Sequence, residues 1–283
     1  MIRLTRQRST AIPARFRGAD RISHERALLA ARRNHIASGA AKFDFLNSSM
    51  WSPSKPQLDA ESNGKCAYCE ALARANAHCD VEHIRPKKTY WWLALCYDNY
   101  VLACQICNQT HKGDKYPVAA ARLVEPAITG TADTALINSL SNSFAPDPLS
   151  DDAALKFATF EAHLRSEDPD LINPYHEDPE PFFKWDADIV LGEVEVNPAV
   201  TGGRDHDRAA STIDLLGLNR EKLMQLRWQT YQTINALCRA FGAGLPPAVH
   251  QQVEQALQSA LQDNGAFAAM NRHLVRQVHG LPL

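Results

Sequence analysis

The alternation of apolar and polar residues predicts two helices in the first part of the chain. Residues 23–38 combine good helix formers with an apolar stripe at Leu28, Leu29 and Ile36, which is the pattern of a helix with one buried face. A shorter helix is expected over residues 57–62, because the Asn-Gly pair that follows is a common helix end.

A group of strand-like segments comes next. Residues 78–84 alternate in the manner of a strand that begins at His78. Residues 91–96 predict a second strand or a packed helical turn, an apolar run follows at 101–103, and a helix is expected to open at 108–112. The predicted order is two strands and then one helix.

The pattern after residue 120 is polar at first and then helical. Residues 125–148 indicate a surface connection with one short helix around Leu136, and residues 171–197 alternate as short strands between Pro-rich turns. Four helices are then expected. The first spans 207–216 and ends at a Gly217 cap, and the second is long, beginning at an Asn219 cap and running through Cys238. The last two span 245–262 and 267–278.

These elements predict an α+β fold in four segments. The segments are a basic N-terminal arm and helix at 1–60, a metal module at 61–120, a connecting segment with short strands at 121–202, and a predominantly α-helical C-terminal region at 203–283. The long helix and its approach hold more apolar positions than one buried stripe needs, so some should face a partner protein. These positions are Leu215, Leu216, Leu218, Leu223, Leu226, Trp228, Ile234, Leu237 and Phe241.

Charge changes the picture at the N-terminus. The net charge is only -2, yet residues 1–36 contain nine arginines against Asp20 and Glu25. Residues 1–20 are expected to be extended or loosely packed, so this basic arm suits a polyanionic partner such as nucleic acid, the alternative being a solvated helix face. No apolar run is long enough for a membrane span and no secretory signal is visible, so the cytoplasm is the expected location, with a mitochondrial transit peptide as the alternative.

Four of the seven cysteines form two Cys-x-x-Cys pairs, Cys66 with Cys69 and Cys104 with Cys107. Two such pairs supply four thiolates in a tetrahedron, so we predict one structural zinc site. The remaining cysteines are expected to be buried thiols, and these are Cys79, Cys96 and Cys238.

The residues between and just after these pairs carry the candidate chemistry. They are Glu82-His83-Ile84-x-Pro86, then Asp98-Asn99-Tyr100, then Cys104-x-x-Cys107-Asn108 followed by Lys112-Gly113. This constellation resembles the HNH nucleases, whose fold is a ββα-metal module. The resemblance implies that His83 is the general base, Glu82 the acidic ligand of a catalytic metal, Asn99 the residue that holds the loop in shape, and Asn108 the second metal ligand.

Elementary chemistry supports the same assignment. Phosphodiester hydrolysis needs a base for water and a cation for the developing charge. A surface histidine that titrates near neutrality can be the base, and carboxylate and amide oxygens suit Mg²⁺ or Mn²⁺. His111 lies on the same helical face as Asn108 and is an alternative or additional ligand. The predicted phosphate contacts around the site are Arg85, Lys87, Lys88, Lys112 and Lys115.

Each of these residues also has a simpler interpretation. Glu82-His83 can be a chance surface pair, Asn99 a turn residue and Asn108 a helix cap. In that case the module is a treble-clef zinc unit that binds nucleic acid or protein without catalysis. A further alternative is a stand-alone restriction or homing enzyme, in which the arginine arm gives sequence preference without a partner.

A closer resemblance extends over residues 64–228. The segments GKCAYCE, CQICNQTHKGDKYP, LINP and TIDLLGLNR are similar to the PtuB-like HNH subunits of bacterial anti-phage systems, Septu and certain retrons. This resemblance implies a DNA-cutting effector that works with an ABC-type ATPase (PtuA-like) and, in retrons, with a reverse transcriptase. The chain has no phosphate loop of its own, which agrees with an ATPase supplied in trans and docked on residues 219–283.

Overall fold

The computed structural model describes residues 1–72, 79–151 and 155–283, and within them the predicted α+β fold is confirmed. The helices are α1 (Gly18–Ser38), α2 (Lys55–Glu61), α3 (Thr134–Leu140), α4 (Phe157–Arg165), α5 (Gly203–Leu216), α6 (Glu221–Phe241), α7 (Pro247–Leu261) and α8 (Ala268–Arg272). The strands are β1 (Cys79–His83), β2 (Tyr100–Cys104), β3 (Phe183–Asp188) and β4 (Glu193–Pro198). A wide helical turn, which we call the knuckle helix, spans Ile106–Lys112.

Strands β1 and β2 form an antiparallel pair that carries the candidate site. Glu82 lies opposite Val101, and His83 lies opposite Tyr100. The predicted start of the first strand at His78 lies outside the described residues. The second strand is not at 91–96, where Trp91–Leu93 form a short 3₁₀ turn. All three residues of that turn are buried together, which a strand with one solvent-facing side would not allow.

The N-terminal segment is part of the main hydrophobic core, so the expected loose packing of residues 1–20 is wrong. Ile2, Ile12 and Phe16 are almost fully buried. The arginines of this segment mostly bind within the chain. Arg6 is the clearest case, since it forms an ion pair with Glu61 at 3.0 Å.

Other arginines of the arm are also engaged. Arg8 binds Asp98 at 2.7 Å and Arg21 binds Glu25 at 2.6 Å. Arg15 and Arg17 donate hydrogen bonds to backbone carbonyls. The charges of Arg6, Arg8 and Arg21 are therefore compensated inside the fold instead of being presented to a polyanion.

The C-terminal region packs on the rest through the hairpin β3–β4 and helices α5 and α6. Asn219 does not cap α6. Its side chain instead accepts from the backbone N–H of Val196 and donates to the carbonyl of the same residue, at 2.9 and 2.8 Å. This pair of hydrogen bonds ties the start of α6 to strand β4.

The apolar surplus of α6 is used mainly inside the chain. Leu223 belongs to the main core. Ile234 and Cys238 join residues of α7 and of a wide helical turn at His273–Val278 in a second core. Leu226 is the member of the predicted set that is substantially exposed. Among the described helices, none combines the length and the apolar character that a membrane span requires.

Candidate metal centre and active site

The four predicted zinc ligands come together in one buried cluster. The sulfur atoms of Cys66, Cys69, Cys104 and Cys107 all lie within 4.8 Å of one another, and those of Cys69 and Cys104 are 4.0 Å apart. Tetrahedral Zn²⁺ with bonds of about 2.3 Å to sulfur places its ligands about 3.8 Å apart. The donor set and its spacing therefore fit a metal such as zinc.

The local backbone explains how the two pairs converge. Strand β2 ends at Cys104, whose backbone N–H donates to the sulfur of Cys66 at 3.3 Å. The N–H of Cys107 points to the sulfur of Cys104 at 3.5 Å. Such N–H groups stabilise thiolates, which are the form that binds metal.

A cation from the C-terminal region also reaches the cluster. Arg220 donates from Nη1 to the sulfur of Cys107 at 3.6 Å and to the carbonyl of Gly217 at 2.9 Å. The positive charge offsets part of the negative charge of four thiolates. The contact between Arg220 and Cys107 thus joins the segment after α5 to the metal centre, although 113 positions separate the two residues in sequence.

His83 is buried, whereas we expected a surface residue. Its ring packs edge-on against Trp51 and Tyr100, at centroid distances of 4.8 and 5.0 Å. Its Nε2 lies 3.0 Å from the carbonyl oxygen of Ala94. Because a carbonyl only accepts, Nε2 carries the proton and Nδ1 keeps its lone pair.

Burial lowers the pKa of His83 to about 3, and the nearby cations Lys87 and Lys112 act in the same direction. The ring is therefore neutral at neutral pH, as a base must be, but its pKa lies well below the near-neutral value that we expected from the sequence. The hydrogen bond to Ala94 fixes its tautomer and its orientation.

Glu82 has a cation as its partner. Its Oε1 lies 2.5 Å from Nζ of Lys112, which is fully buried and also donates to the carbonyl of His83 at 3.0 Å. Burial raises the pKa of the Glu82 carboxyl, and Lys112 opposes that effect. A divalent cation at Glu82 would therefore share this carboxylate with the ammonium group of Lys112 or displace it.

Asn99 lies where a loop-holding residue is needed. Its Oδ1 accepts from the backbone N–H of Arg85 at 2.8 Å, and its Nδ2 donates to the carbonyls of Arg85 and Leu93 at 3.0 and 3.2 Å. The side chain thus clamps the loop that follows β1 from both sides. Asn99 is also the last residue of the 3₁₀ turn Tyr97–Asn99, so it is a turn residue as well.

Asn108 and His111 lie on the knuckle helix. Asn108 is half-buried, and its backbone carbonyl accepts from the N–H of Gly113 at 2.7 Å. The ring of His111 packs on Gly217. In the described ranges, the four cysteines are the only group of three or more His, Cys, Asp or Glu side chains close enough to share a metal.

The five predicted phosphate contacts divide into two sets. Arg85 and Lys112 are buried, and Arg85 forms an ion pair with Glu167 at 2.7 Å, so neither presents its charge to solvent. Lys88 is exposed, and Lys87 is half-buried with Nζ above the Trp51 ring. Lys115 is exposed. The lysines that remain accessible are thus 87, 88 and 115.

Glu167 is fully buried beside the site, although no sequence pattern points to it. Its carboxylate accepts from Arg85 and from the hydroxyl of Tyr90, as well as from the N–H of Leu123 at 2.9 Å. Glu167 comes 82 positions after Arg85 in the chain. No local spacing rule connects residues at that separation, so a single sequence offers no signal for the pair.

Comparison with known proteins gives partial matches. The chain is 36% identical to Septu protein PtuB of Bacillus mycoides (strain KBAB4) over 69 residues, which is 20% of this chain and 23% of that protein. It is 38% identical to Septu protein PtuB of Bacillus thuringiensis over 77 residues, 26% of each chain. It is also 25% identical over 209 residues to Septu protein PtuA of Bacillus mycoides (strain KBAB4), which is 69% of this chain and 23% of that protein.

Each of these alignments spans about a quarter of the curated relative. No protein-family model matches the chain. The resemblance to PtuB is confirmed over its short segment, and together with the four-cysteine cluster it fits a PtuB-like zinc module.

Proposed function

We propose that this protein is a metal-dependent HNH endonuclease that hydrolyses DNA as a component of an anti-phage defence system. The observation that carries the proposal is the state of His83. Its Nε2–H is fixed on the carbonyl of Ala94, which leaves Nδ1 unprotonated. Glu82 precedes His83 on the same strand, and that strand pairs with the one leading into the cysteine cluster. The similarity to Septu proteins supports the defence role.

In this proposal the chain supplies a base and a carboxylate. Nδ1 of His83 takes the proton from the attacking water, and the carbonyl of Ala94 steadies the imidazolium that results. Glu82 and Asn108 would hold Mg²⁺ or Mn²⁺, with His111 as the alternative to Asn108. When bound, that cation supplies charge stabilisation for the phosphate and the leaving oxygen. Zn²⁺ on the four cysteines has a structural role.

The surrounding residues position this chemistry and the substrate. Asn99 holds the loop after β1, so that His83 and Ala94 keep their relative places. Lys87, Lys88 and Lys115 are the phosphate contacts we propose, because their charges are accessible. Each such contact to DNA increases the salt dependence of binding by about one counterion.

We further propose a partner protein. By the resemblance it is an ABC-type, PtuA-like ATPase, with a reverse transcriptase in retron-type systems. The similarity of this chain to PtuA itself makes a Septu assembly the first one to test. Because most apolar side chains of α6 are used inside the chain, the docking surface on residues 219–283 is limited to positions such as Leu226.

The test is a cleavage assay on plasmid DNA, single-stranded DNA and RNA, with Mg²⁺, Mn²⁺ or a chelator. The key variant is His83→Gln, because glutamine Nε2 can still donate to Ala94 while the basic Nδ1 is lost. We expect cleavage to fall by about 100-fold or more. His163→Gln, at an exposed histidine, is the matched control and should cleave like the wild type.

Cleavage by His83→Gln at the wild-type rate would refute the assignment of the base. If the wild type binds DNA but never cleaves it under any of these metals, the non-catalytic zinc module becomes the better description. Circular dichroism of both variants shows whether any loss comes from misfolding instead.

A further inference from the structure

A cavity of about 140 Å³ lies against Arg85, in the loop that follows β1. Four of its lining residues are Arg85, Tyr116, Asn173 and His176, which come from three separate stretches of the chain. Asn173 belongs to the LINP segment that the sequence singled out and that the proposed nuclease chemistry does not use. The cavity is distinct from the surface that Lys87 and Lys88 present.

Each of these four residues has a polar group with no hydrogen-bond partner in the part of the chain that the structure describes. Arg85 uses Nε on Glu167 and Nη2 on the carbonyl of Leu164, and its Nη1 has no hydrogen-bond partner among the described residues. The Nδ2 of Asn173 is buried and also lacks a partner there, although its Oδ1 accepts from the N–H of Tyr175 at 3.0 Å. A buried donor such as Nδ2 of Asn173 is costly unless something binds it.

The hydroxyl of Tyr116 and the ring of His176 complete the set. Neither side chain makes a hydrogen bond within the part of the chain that the structure describes, and burial raises the pKa of the Tyr116 hydroxyl, which keeps its proton. Burial also lowers the pKa of His176 to about 3, so its ring is neutral and still offers one N–H. The cavity is therefore lined by four uncommitted donors.

The acidic groups around the cavity are already engaged. Glu177 is bound by both terminal nitrogens of Arg208, and Asp168 is bound by Nε of Arg204 at 2.9 Å. Arg165 adds an exposed positive charge at the rim, since its contact with Glu161 is long at 3.5 Å. Donors and an exposed cation without free carboxylates are the chemistry of an anion site.

We propose that this cavity binds one phosphate group. A tetrahedral oxyanion presents several acceptor oxygens to donors that converge from different sides. The available volume suits a single phosphate and leaves no room for a nucleoside. The phosphate is therefore either free or the terminal group of a nucleotide whose remainder lies outside.

The proposal does not depend on nuclease activity, so binding itself is the readout. Isothermal titration of the full chain with inorganic phosphate should give saturable heat that chloride at equal ionic strength does not give. Titration with ATP separates the two sources. Tighter binding of ATP identifies a terminal nucleotide phosphate, and binding of inorganic phosphate that is equal or tighter identifies the free ion.

The decisive variant is Asn173→Asp. It keeps Oδ1 for the N–H of Tyr175 and replaces the unpartnered donor with a carboxylate oxygen that repels an anion. We expect phosphate affinity to fall by about tenfold or more, while Asn34→Asp, the same change on the surface of α1, leaves it unaltered. Tyr116→Phe, which removes one hydroxyl only, should weaken binding by a smaller factor.

Two results would overturn the proposal. One is a wild-type protein in which phosphate gives no more heat than chloride. The other is a folded Asn173→Asp protein that binds phosphate as tightly as the wild type. If Asn173→Asp does not fold, as judged by circular dichroism, Tyr116→Phe and Arg165→Gln decide the question, and unchanged affinity in both refutes it.

Discussion

The ring of His111 lies directly on Gly217, at the end of helix α5. A Cβ at this glycine would overlap the ring, with Nε2 only 2.5 Å away. Gly217 also has a φ of 56°, which favours glycine. Together with the contact between Arg220 and Cys107, this packing fixes the knuckle helix against the C-terminal helices. His111 therefore has a structural role whether or not it also binds metal.

Gly217→Ala is expected to destabilise the protein by about 2–5 kcal/mol, because the left-handed backbone and the overlap with His111 both add to the cost. Gly39→Ala is the matched control. Gly39 also ends a helix in the left-handed conformation, with φ of 65°, but nothing lies near its Cβ position, so about 1–2 kcal/mol is expected.

Urea unfolding of both variants measures the difference. In a His111→Ala background the cost of Gly217→Ala should fall to that of Gly39→Ala. Equal costs for the two glycine variants in the wild-type background would show that the His111 ring moves away without loss.

The buried pair of Glu82 and Lys112 allows a test of the catalytic metal that does not use cleavage. Lys112→Met leaves the Glu82 carboxylate buried without its cation, which should cost about 3–5 kcal/mol of stability. If Glu82 is a metal ligand, Mn²⁺ should restore much of this loss, because it replaces the missing positive charge.

Thermal unfolding with and without Mn²⁺ measures this rescue. The double variant Glu82→Gln with Lys112→Met has no charge to compensate and should show no Mn²⁺ effect. Equal Mn²⁺ effects on the single and the double variant would argue against Glu82 as a ligand.

Features encoded over short distances could be predicted from the sequence. The two Cys-x-x-Cys pairs, the β1 strand after His78, the short helix around Leu136 and the Gly217 cap each depend on a few neighbouring residues. The structure places them as expected because spacing and backbone preference act locally.

Features that depend on distant partners could not be predicted in this way. The charge pattern indicated an accessible arginine arm, yet Arg6 meets Glu61 and Arg8 meets Asp98 across 55 and 90 positions of the chain. Arg85 was expected at phosphate for the same reason and instead meets Glu167. A charge count does not distinguish a solvated arginine from one with a buried partner, because the partner is set by the tertiary fold.

Glu167→Gln is expected to cost about 3–5 kcal/mol. The change removes the charge that compensates buried Arg85 and puts an amide where three donors converge. Glu161→Gln, six residues earlier on α4 and in an exposed pair with Arg165, should change stability by no more than about 0.5 kcal/mol. Chemical denaturation of the two variants makes the comparison, and similar losses would contradict a special role for Glu167.

His176 should make stability fall in acid. Its pKa is lowered to about 3 in the folded protein by burial and by Arg85, whereas an unfolded histidine titrates near pH 6.5, which is about its ordinary value. The unfolded state therefore binds the extra proton first. The contribution of His176 is complete above about pH 6.5 and is lost as the pH falls from there towards about 3.

The measurement is the free energy of unfolding at pH 8 and pH 5 for the wild type and for His176→Gln. The wild type should lose about 2 kcal/mol more than the variant over this interval, because the glutamine does not titrate. Parallel losses in the two proteins would show that His176 is protonated normally in the fold.

Loss of the metal centre should have the largest effect. Cys104 ends strand β2, and its sulfur lies among the three other buried sulfurs of the cluster, so Cys104→Ser removes one of four ligands and leaves the others converging on an incomplete site. Structural zinc contributes on the order of 10 kcal/mol in small domains. We therefore expect the purified variant to contain little zinc and to be largely unfolded. A chelator should unfold the wild type in the same way.

Cys238→Ser is the matched control, because Cys238 is also a buried thiol and lies in the second core, away from the cluster. It should keep one zinc per chain and lose only about 1–2 kcal/mol. A Cys104→Ser protein that stays folded with its zinc, as measured by atomic absorption and circular dichroism, would show that the four cysteines do not form one structural metal site.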